Sequence, residues 1–441
     1  MSIHLASLAT HGESPSIVKE IGNVESIAGG MILSRMKNIQ LGELCYIQNR
    51  LGNRIPAQVV AFSRNECRLA PLNPLIGISP NDTIIATGAM PLLTLPHNPC
   101  GKVYDSLGEP LDVEPSHHAP RAIAMEIEGT VPTPLSRPLI SEQMRTGIRA
   151  IDLCCPIGFG QRIGLFAGPG VGKSTLLGMI AKNASVDRIV ISLVGERGRE
   201  VREFIEESLG TEGLQRSIII VSTSDEPPIR RKLAAMSATR IAEYFRDRGE
   251  RVLLLVDSLT RTARAIRDVS LSVGELPVRQ GYTASVFEEL PRILERAGTG
   301  PSGSITAIYT ILAEALEEQD ILSEEMKSLL DGHIVLDRNL AQRGLFPAIN
   351  VTKSLSRLTP RLLSNEERPQ IRTLFEILHR LRNDKELLQL GGVADEKLKF
   401  CIEREQELID FFHHGICAKL SHDKSDKAFL KRLHEQYIVI S

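Results

Sequence analysis

The chain has 441 residues, of which 42% are hydrophobic and 24% are charged, and its 52 basic and 54 acidic residues give a net charge of −2. This length exceeds one ordinary hydrophobic core, and the composition is typical of a globular protein with two or three domains. The balanced charge argues against a chain whose whole surface serves a polyanion such as nucleic acid.

The cysteines and the first residues bear on the compartment. The seven cysteines are scattered without a C-x-x-C pair, and only Cys154 and Cys155 are adjacent, which predicts a reducing compartment without a disulfide framework or a zinc site. Residues 1–20 lack the basic and apolar regions of a signal peptide, and no run reaches the roughly 18 apolar residues that cross a bilayer. We therefore expect a cytoplasmic protein that is at most peripheral to a membrane.

Short β-type runs fill the first part of the chain, from residue 16 to about residue 90. Gly, Pro and Asn separate these runs, which include ELCYIQ, AQVVAF, ECRLAPL and DTIIATG. Short strands with regular turn signals predict a small β-barrel, which we assign to a first domain of residues 1–90.

The next part, residues 91–358, alternates apolar β-branched runs with helical stretches. RIGLFA, RIVISLV, SIIIVST, RVLLLVD and SITAIYTIL suit a mostly parallel sheet that is buried on both faces. Helical stretches such as REVREFIEESL lie between them, so this part predicts an α/β domain with crossover helices.

The last part, residues 359–441, is predicted to be a small helical domain. Beyond Pro360 the β-type runs nearly vanish. Ile371, Leu374, Phe375 and Leu378 are spaced as i, i+3, i+4 and i+7, which is one face of a helix.

A glycine-rich turn, AGPGVGKST at residues 167–175, interrupts the α/β part directly after RIGLFA. Its pattern ends in Gly-Lys-Ser and begins with Ala167, where the strict form of this motif has Gly, and it lies between a strand and a helix as a phosphate-binding loop must. The glycines let backbone N–H groups converge on a phosphate. The residues predicted to bind the nucleotide are Gly168, Pro169, Gly170, Val171, Gly172, Lys173, Ser174 and Thr175. Lys173 is expected to reach the β- and γ-phosphates, and the Ser174 hydroxyl to bind Mg²⁺.

Two acidic positions follow other strands of the same domain. Asp257 ends the run RVLLLVD, where a carboxylate can hold the Mg²⁺ water shell beside the loop. Glu196 and Arg197 follow RIVISLV, at the carboxyl edge where open α/β sheets bind ligands. A carboxylate at this edge can polarise water for attack on the γ-phosphate. The local sequence is equally typical of a charged helix N-terminus.

Five stretches together resemble one known family. TGIRAIDLCCPIGFGQRIGLFAGPGVGKSTLL, VGERGREVREFI, LLLVDSLTRTARAIRD, YTASVFEELPRILERAG and DGHIVLDRNLAQRGLFPAINVTKSLSRL resemble the catalytic subunits of rotary ATP synthases. They are more similar still to the hexameric ATPases of type III protein export, which serve flagella and virulence injectisomes. LERAG, DGHIVLDR and LGELC favour this export branch. The resemblance covers residues 20–360 and implies a RecA-like P-loop domain.

The resemblance also implies roles for single residues. Glu196 matches the carboxylate that activates the attacking water, with Arg197 as its partner near the γ-phosphate. Asp257 matches the acid on the magnesium side, and Arg261 in SLTR matches an arginine that faces the phosphates.

Two further residues gain a role only through the family. Phe346 in LFPAIN stands where the family places an aromatic ring against adenine, and it would otherwise be read as a core residue. Arg357 in SLSRL matches an arginine finger that reaches the site of the neighbouring subunit.

The implied protein is an ATPase that uses ATP and Mg²⁺ and works as a homohexamer in protein export. Its expected partners are a stalk-like regulator, export-gate components, secretion chaperones and their substrates, through which it reaches the membrane. Two alternatives stay open, a catalytic subunit of a proton-translocating ATP synthase and a non-catalytic nucleotide-binding subunit. Glu196 argues against the latter. A termination-type helicase should carry a basic, aromatic-rich nucleic-acid domain, which the β-zone lacks.

The sequence departs from the family at one internal segment. LAEALEEQDILSEEM, residues 312–326, keeps the acidity of the family's loop and lacks the glycine and proline that shape it. We expect a helix in place of that loop, with an effect on the coupling between subunits. The N-terminal segment, which docks the stalk-like regulator in this family, is short and weakly charged here.

Overall fold

The computed structural model describes residues 20–64, 66–111, 121–312, 320–389, 393–413 and 423–440. Three parts follow one another along the chain: an antiparallel β-structure, a mostly parallel sheet flanked by helices, and a group of helices. The predicted order of β-barrel, α/β domain and helical domain is confirmed. The limits 1–90, 91–358 and 359–441 remain a prediction.

The first part is a seven-stranded antiparallel barrel. Its strands are β1 (Ile21–Asn23), β2 (Ser26–Ala28), β3 (Met31–Ser34), β4 (Leu44–Gln48), β5 (Arg54–Phe62), β6 (Cys67–Pro71) and β7 (Thr83–Ala86). The order of pairing is β1-β7-β4-β5-β6-β3-β2. Since β1 and β2 are consecutive halves of one extended segment, the two ends of this path meet and the sheet closes. Alternate residues such as Cys45, Ile47 and Ile84 point into its core.

A two-stranded ribbon and a nine-stranded sheet make up the second part. The ribbon pairs β8 (Leu92–Pro96) with β10 (Arg121–Glu126), and short antiparallel pairs join β11 (Gln143–Met144) to β12 (Ile157–Gly158) and β17 (Pro277–Arg279) to β18 (Tyr282–Thr283). The strands of the central sheet are β9 (Lys102–Tyr104), β13 (Arg162–Ala167), β14 (Arg188–Glu196), β15 (Ser217–Thr223), β16 (Arg251–Asp257), β19 (Gly298–Thr299), β20 (Ser304–Leu312), β21 (Gly332–Val335) and β22 (Leu355–Ser356).

The central sheet runs in the order β22-β21-β13-β20-β16-β14-β15-β9, and β19 pairs with β20. Its pairs are parallel except those of β22 and β19, so the carboxyl ends of the main strands share one edge of the sheet. We call this edge the carboxyl edge and the opposite one the amino edge. Helices connect the strands: α1 (Lys173–Asn183), α2 (Gly198–Glu203), α3 (Gly210–Gln215), α4 (Pro228–Arg246), α5 (Leu259–Ser272), α6 (Ala284–Glu295), α7 (Ile321–Leu329), α8 (Arg338–Gln342) and α9 (Thr359–Leu362).

The two faces of the sheet carry different helices. Residues such as Val190 and Leu254 pack against α4, α5 and α6, whereas their neighbours Ile191 and Leu255 pack in a core with α1. The C-terminal helices join this second core: α10 (Glu367–Gln389), α11 (Glu396–Glu403), α12 (Glu405–Phe412) and α13 (Asp423–Val439). The predicted apolar face of α10 is confirmed, since Ile371 and Leu374 are buried there.

Two predictions from the sequence concern segments that lie partly or wholly outside the described residues. Residues 313–319, where a helix is expected to replace the family's loop, lie outside the described residues, and α7 begins after them at Ile321, so this replacement stays a prediction. The short N-terminal segment expected to dock a regulator falls on residues 1–19, which also lie outside them. Among the described helices, none has both the length and the apolar character that a membrane crossing requires.

Candidate nucleotide site

The glycine-rich turn joins β13 to α1 at the carboxyl edge of the central sheet. Gly170 and Gly172 have φ angles of 72° and 86°, in the left-handed region that glycine adopts without strain. Gly172 also lies close to Phe346, because a Cβ atom at this position would stand 3.0 Å from the ring. Helix α1 begins at Lys173 directly after the turn, so its N-terminal N–H groups point toward the same space. The turn therefore has the geometry of an anion-binding loop.

The ammonium group of Lys173 is held by two carboxylates at the ends of neighbouring strands. Its Nζ atom lies 2.5 Å from Oδ1 of Asp257 and 3.5 Å from Oε1 of Glu196. Thr310 donates a second hydrogen bond of 2.7 Å to Oδ1 of Asp257. Asp257 is only 2% exposed, so this network fixes a buried carboxylate beside the loop.

Glu196 is aimed at the same space by an irregularity in β14. The register of β14 with β15 shifts between Val194 and Glu196, and Gly195 has a φ angle of 67°. Arg261, in the first turn of α5, forms an ion pair with Oε1 of Glu196. A Cβ atom at Gly195 would lie 3.1 Å from the Arg261 side chain, so glycine permits this close approach.

A cavity of about 760 Å³ surrounds these groups. One wall of the cavity comes from the helical segment after β14, which contains a π-helical stretch at Phe204–Leu209. Glu200, Glu203 and Glu207 line that wall, and Arg338 lines another side. The hydrogen bond between the Glu200 and Glu196 carboxyl groups lowers the pKa of Glu200. The cavity thus joins an anion-binding loop to a row of acidic side chains.

Sequence reasoning did not single out this acidic wall or Arg338. The three glutamates are spaced as i, i+3 and i+7, which places them on one helical face, and this spacing was the available signal. Arg338 follows β21, whose neighbour β13 leads into the loop, so only the pairing of these strands brings it to the cavity.

Most predicted site residues gather at this cavity. Gly168, Pro169, Gly170, Gly172, Lys173, Ser174, Thr175, Glu196, Asp257 and Arg261 line it. The Val171 side chain is buried in the core below the loop. Phe346 is half-buried and stands beside Gly172. The Arg197 side chain is 82% exposed and reaches Glu200 at 3.8 Å, so the structure does not bring it into the cavity.

Arg357 lies at the amino edge of the sheet, away from the loop of its own chain. It follows β22, and its backbone N–H donates to the carbonyl of Asp331, whose own N–H donates to the carbonyl of Arg162. Arg162 begins β13 and Ala167 ends it, and five residue steps of a parallel strand span about 16 Å. The Arg357 guanidinium donates to two carbonyl oxygens of α7, at 3.2 and 3.4 Å. Its place excludes a contact with its own glycine-rich loop.

The buried hydroxyl of Thr310 gives a direct test of the carboxylate network. We expect Thr310→Val, which keeps the shape and removes the donor, to weaken Mg²⁺-dependent nucleotide binding by about ten-fold to one hundred-fold, because a hydrogen bond to a charged group contributes about 1.5–3 kcal/mol. Thr310→Ser keeps the hydroxyl and should bind nearly as the parent does. Fluorescent-nucleotide titrations with and without Mg²⁺ measure this, and equal affinity of all three proteins would contradict the assigned role.

Comparisons with known proteins agree with this geometry. Residues 147–356 match the ATP synthase alpha/beta family, nucleotide-binding domain. The chain is 43% identical over 403 residues to the flagellum-specific ATP synthase of Bacillus subtilis, with 90% of this chain and 91% of the relative covered. It is 44% identical over 421 residues to the type 3 secretion system ATPase of Xanthomonas euvesicatoria, with 92% and 91% covered.

A solved structure shares both the architecture and the sequence. The assembled ATPase EscN from the type III secretion system of enteropathogenic E. coli superposes with a TM-score of 0.86 and 37% identity, over 94% of this chain and 100% of that chain. A second structure of EscN, in complex with its central stalk EscO, gives a TM-score of 0.85. With 37% sequence identity, this chain and EscN are similar in sequence as well as in fold.

Proposed function

Because this chain belongs to the family of flagellum-specific and type 3 secretion system ATPases, we propose that it hydrolyses ATP as a homohexameric ring to drive protein export. The observation that carries the proposal is the cluster of Lys173, Asp257, Glu196 and Arg261 around one glycine-rich loop. Simple nucleotide binding needs the loop and the lysine. A carboxylate poised beside the γ-phosphate position is what hydrolysis adds.

The ion pairs within the cluster suggest an order of events. Without nucleotide, Lys173 and Arg261 both pair with the Glu196 carboxylate. The phosphates of ATP would compete with Glu196 for these two cations. Once Lys173 and Arg261 turn to the phosphates, the Glu196 carboxylate is released to accept a proton from the attacking water. Glu196 is thereby a base only when a triphosphate occupies the site.

The donor set beside the loop fits magnesium. The exposed Ser174 hydroxyl and the Asp257 carboxylate both line the cavity and offer the oxygen donors that Mg²⁺ prefers, and Thr310 fixes the carboxylate. When bound, Mg²⁺ would neutralise charge that develops on the phosphate oxygens. Asp257 and Ser174 would hold the ion once Lys173 turns from Asp257 to the phosphates. Phe346, beside Gly172, would offer its ring to the adenine base.

Arg357 is assigned to the site of the next subunit. Its place at the amino edge supports this, because the guanidinium is held away from the loop of its own chain, and a head-to-tail ring brings a different surface of the neighbouring subunit to each site. Its guanidinium would stabilise charge on the γ-phosphoryl group and offset the acidic wall of Glu200, Glu203 and Glu207. Arg197, which is exposed at the same rim, is proposed to join the γ-phosphate contacts in the assembled site.

We place the protein at the cytoplasmic face of a membrane in this proposal, and partner proteins would hold it there. One of the two EscN structures is a complex with its central stalk EscO, which supports a stalk-like regulator for this chain as well. Export-gate components, chaperones and secretion substrates complete the proposed partner set. The flagellar and the type 3 secretion relatives are about equally similar to this chain. The proposal therefore includes protein export by either kind of apparatus. Relatives of both kinds favour export over the ATP synthase alternative.

The proposal predicts that activity depends on assembly. We expect the ATPase rate per subunit to rise steeply with protein concentration, in step with the appearance of six-subunit rings, since each isolated chain lacks an arginine from a neighbour. Mass photometry and a coupled ATPase assay on the same samples test this. A constant rate per subunit across the assembly transition would refute a site shared between subunits.

A further inference from the structure

A short turn at the amino edge presents two leucines to solvent. Leu135, within the 3₁₀ turn Pro134–Ser136, is 100% exposed, and Leu139 is 78% exposed. Exposed leucines are common singly, and a neighbouring pair on one turn is a candidate for a contact. We call residues 131–139 the leucine turn.

The leucine turn is held firmly against the sheet. The Arg137 guanidinium between the two leucines donates to the carbonyls of Ala297 and Glu295, at 3.0 and 2.5 Å. Thr299 in β19 donates to the carbonyl of Pro138 at 2.9 Å. A Cβ atom at Gly298 would lie 2.5 Å from the Arg137 guanidinium, so this glycine makes room for the anchor. The leucines are therefore displayed on a fixed backbone, which lowers the entropic cost of a contact.

A chain of ion pairs connects the leucine turn to Arg357. Arg137 lies 3.4 Å from the Glu295 carboxylate, which also pairs with Arg162. Arg162 pairs in turn with Asp331 at 3.3 Å, and the carbonyl of Asp331 accepts the backbone N–H of Arg357. The leucine turn and the proposed arginine finger thus stand on one continuous surface at the amino edge.

We propose that the leucine turn is a contact between subunits, which packs on the rim of the next subunit's nucleotide cavity. This inference rests on the proposed ring, in which Arg357 must enter that cavity. The leucine turn lies on the same surface as Arg357, so a ring that carries Arg357 to the cavity also turns the leucine turn toward that side of the neighbouring subunit. The molecule that packs on the leucine turn is therefore a second copy of this chain.

The charges of the two edges support this pairing. The cavity rim carries Glu200, Glu203 and Glu207, whereas the exposed Arg357 lies on the amino edge, where the ion-pair chain described above connects it to the leucine turn. An apolar contact with charged pairs around it is the usual composition of a specific interface. The leucines would also shield the arginine finger from water, which strengthens its interaction with the γ-phosphate.

The double variant Leu135→Ser/Leu139→Ser tests the proposal in the full chain. We expect the protein concentration at which half of the chains are assembled to rise by about ten-fold or more, because two buried leucines are lost at each interface. Binding of a fluorescent ATP analogue below the assembly concentration should stay within about two-fold of the parent, as should the fold judged by circular dichroism. Val393→Ser, which changes a 96% exposed residue among the C-terminal helices, is the matched control.

Two results would overturn the inference. One is assembly of the double variant at the parent concentration, and the other is an equal loss in the Val393→Ser control. If the parent itself forms no ring with MgATP, the proposed function fails instead, so the two failures are distinguishable.

A cross-link locates the contact independently of folding effects. A benzophenone amino acid replaces Leu135, and irradiated rings are digested and mapped by mass spectrometry. We expect adducts between chains at residues 197–208, the rim of the cavity. Adducts confined to the barrel, to the C-terminal helices or to the same chain would contradict the inference.

Discussion

Glu196→Gln should bind MgATP within a few-fold of the parent and lose about two to four orders of magnitude in turnover. The substitution keeps the size and the hydrogen-bonding oxygen that faces Lys173 and Arg261, and it removes the group that accepts a proton from water. Single-turnover ATP hydrolysis and nucleotide titration on the same preparation separate the two effects.

Lys173→Ala provides the contrast for this measurement. It removes the cation that contacts the β- and γ-phosphates, leaves the buried Asp257 carboxylate without its ion pair and leaves Glu196 paired with Arg261 alone, so it should weaken binding as well as turnover. If Glu196→Gln hydrolyses ATP at the parent rate, the water-activating group has been assigned wrongly. Equal binding losses in both variants would also contradict the division of roles.

Arg357→Ala and Lys173→Ala should each be inactive alone and should recover activity when mixed. In a mixed ring, an Arg357→Ala subunit keeps its own loop, and a Lys173→Ala neighbour supplies the missing arginine. In a statistical mixture of equal parts, about one interface in four combines an intact loop with an intact arginine. The expected rate is therefore up to about a quarter of the parent rate, lower where sites depend on one another.

The control for the mixing experiment combines both substitutions in one chain. Rings of that double variant with Lys173→Ala subunits contain no intact loop and should stay inactive. Proof of mixing comes from native mass spectrometry of subunits with distinguishable tags. Mixed rings without activity would place Arg357 outside the neighbouring site.

The glycine-rich loop and its carboxylates were predictable from sequence because each depends on local chemistry. A phosphate loop needs glycines at fixed positions between a strand and a helix, and the structure has Gly170 and Gly172 in the left-handed region there. Asp257 and Glu196 end buried strands, and parallel strands bring their carboxyl ends to one edge. The periodicity of α10 likewise predicted its buried face.

The remaining features depend on contacts between distant segments. Arg338 reaches the cavity only because β21 pairs with β13, and Arg357 lies far from its own loop only because β22 turns back antiparallel to β21. The leucine turn is fixed by hydrogen bonds to residues about 160 positions later in the chain. No local pattern encodes these pairings, so single-sequence reasoning could name Arg357 by resemblance and could not place it.

The core beneath α1 has a mechanical consequence. Leu176 and Leu177, just after the phosphate loop, belong to the same close-packed core as Leu374 of α10 and Leu408 of α12. Close-packed interiors have low compressibility and transmit strain. One continuous core therefore offers a path of packed side chains between the first turn of α1, beside the phosphate loop, and the helices at the other end of the chain.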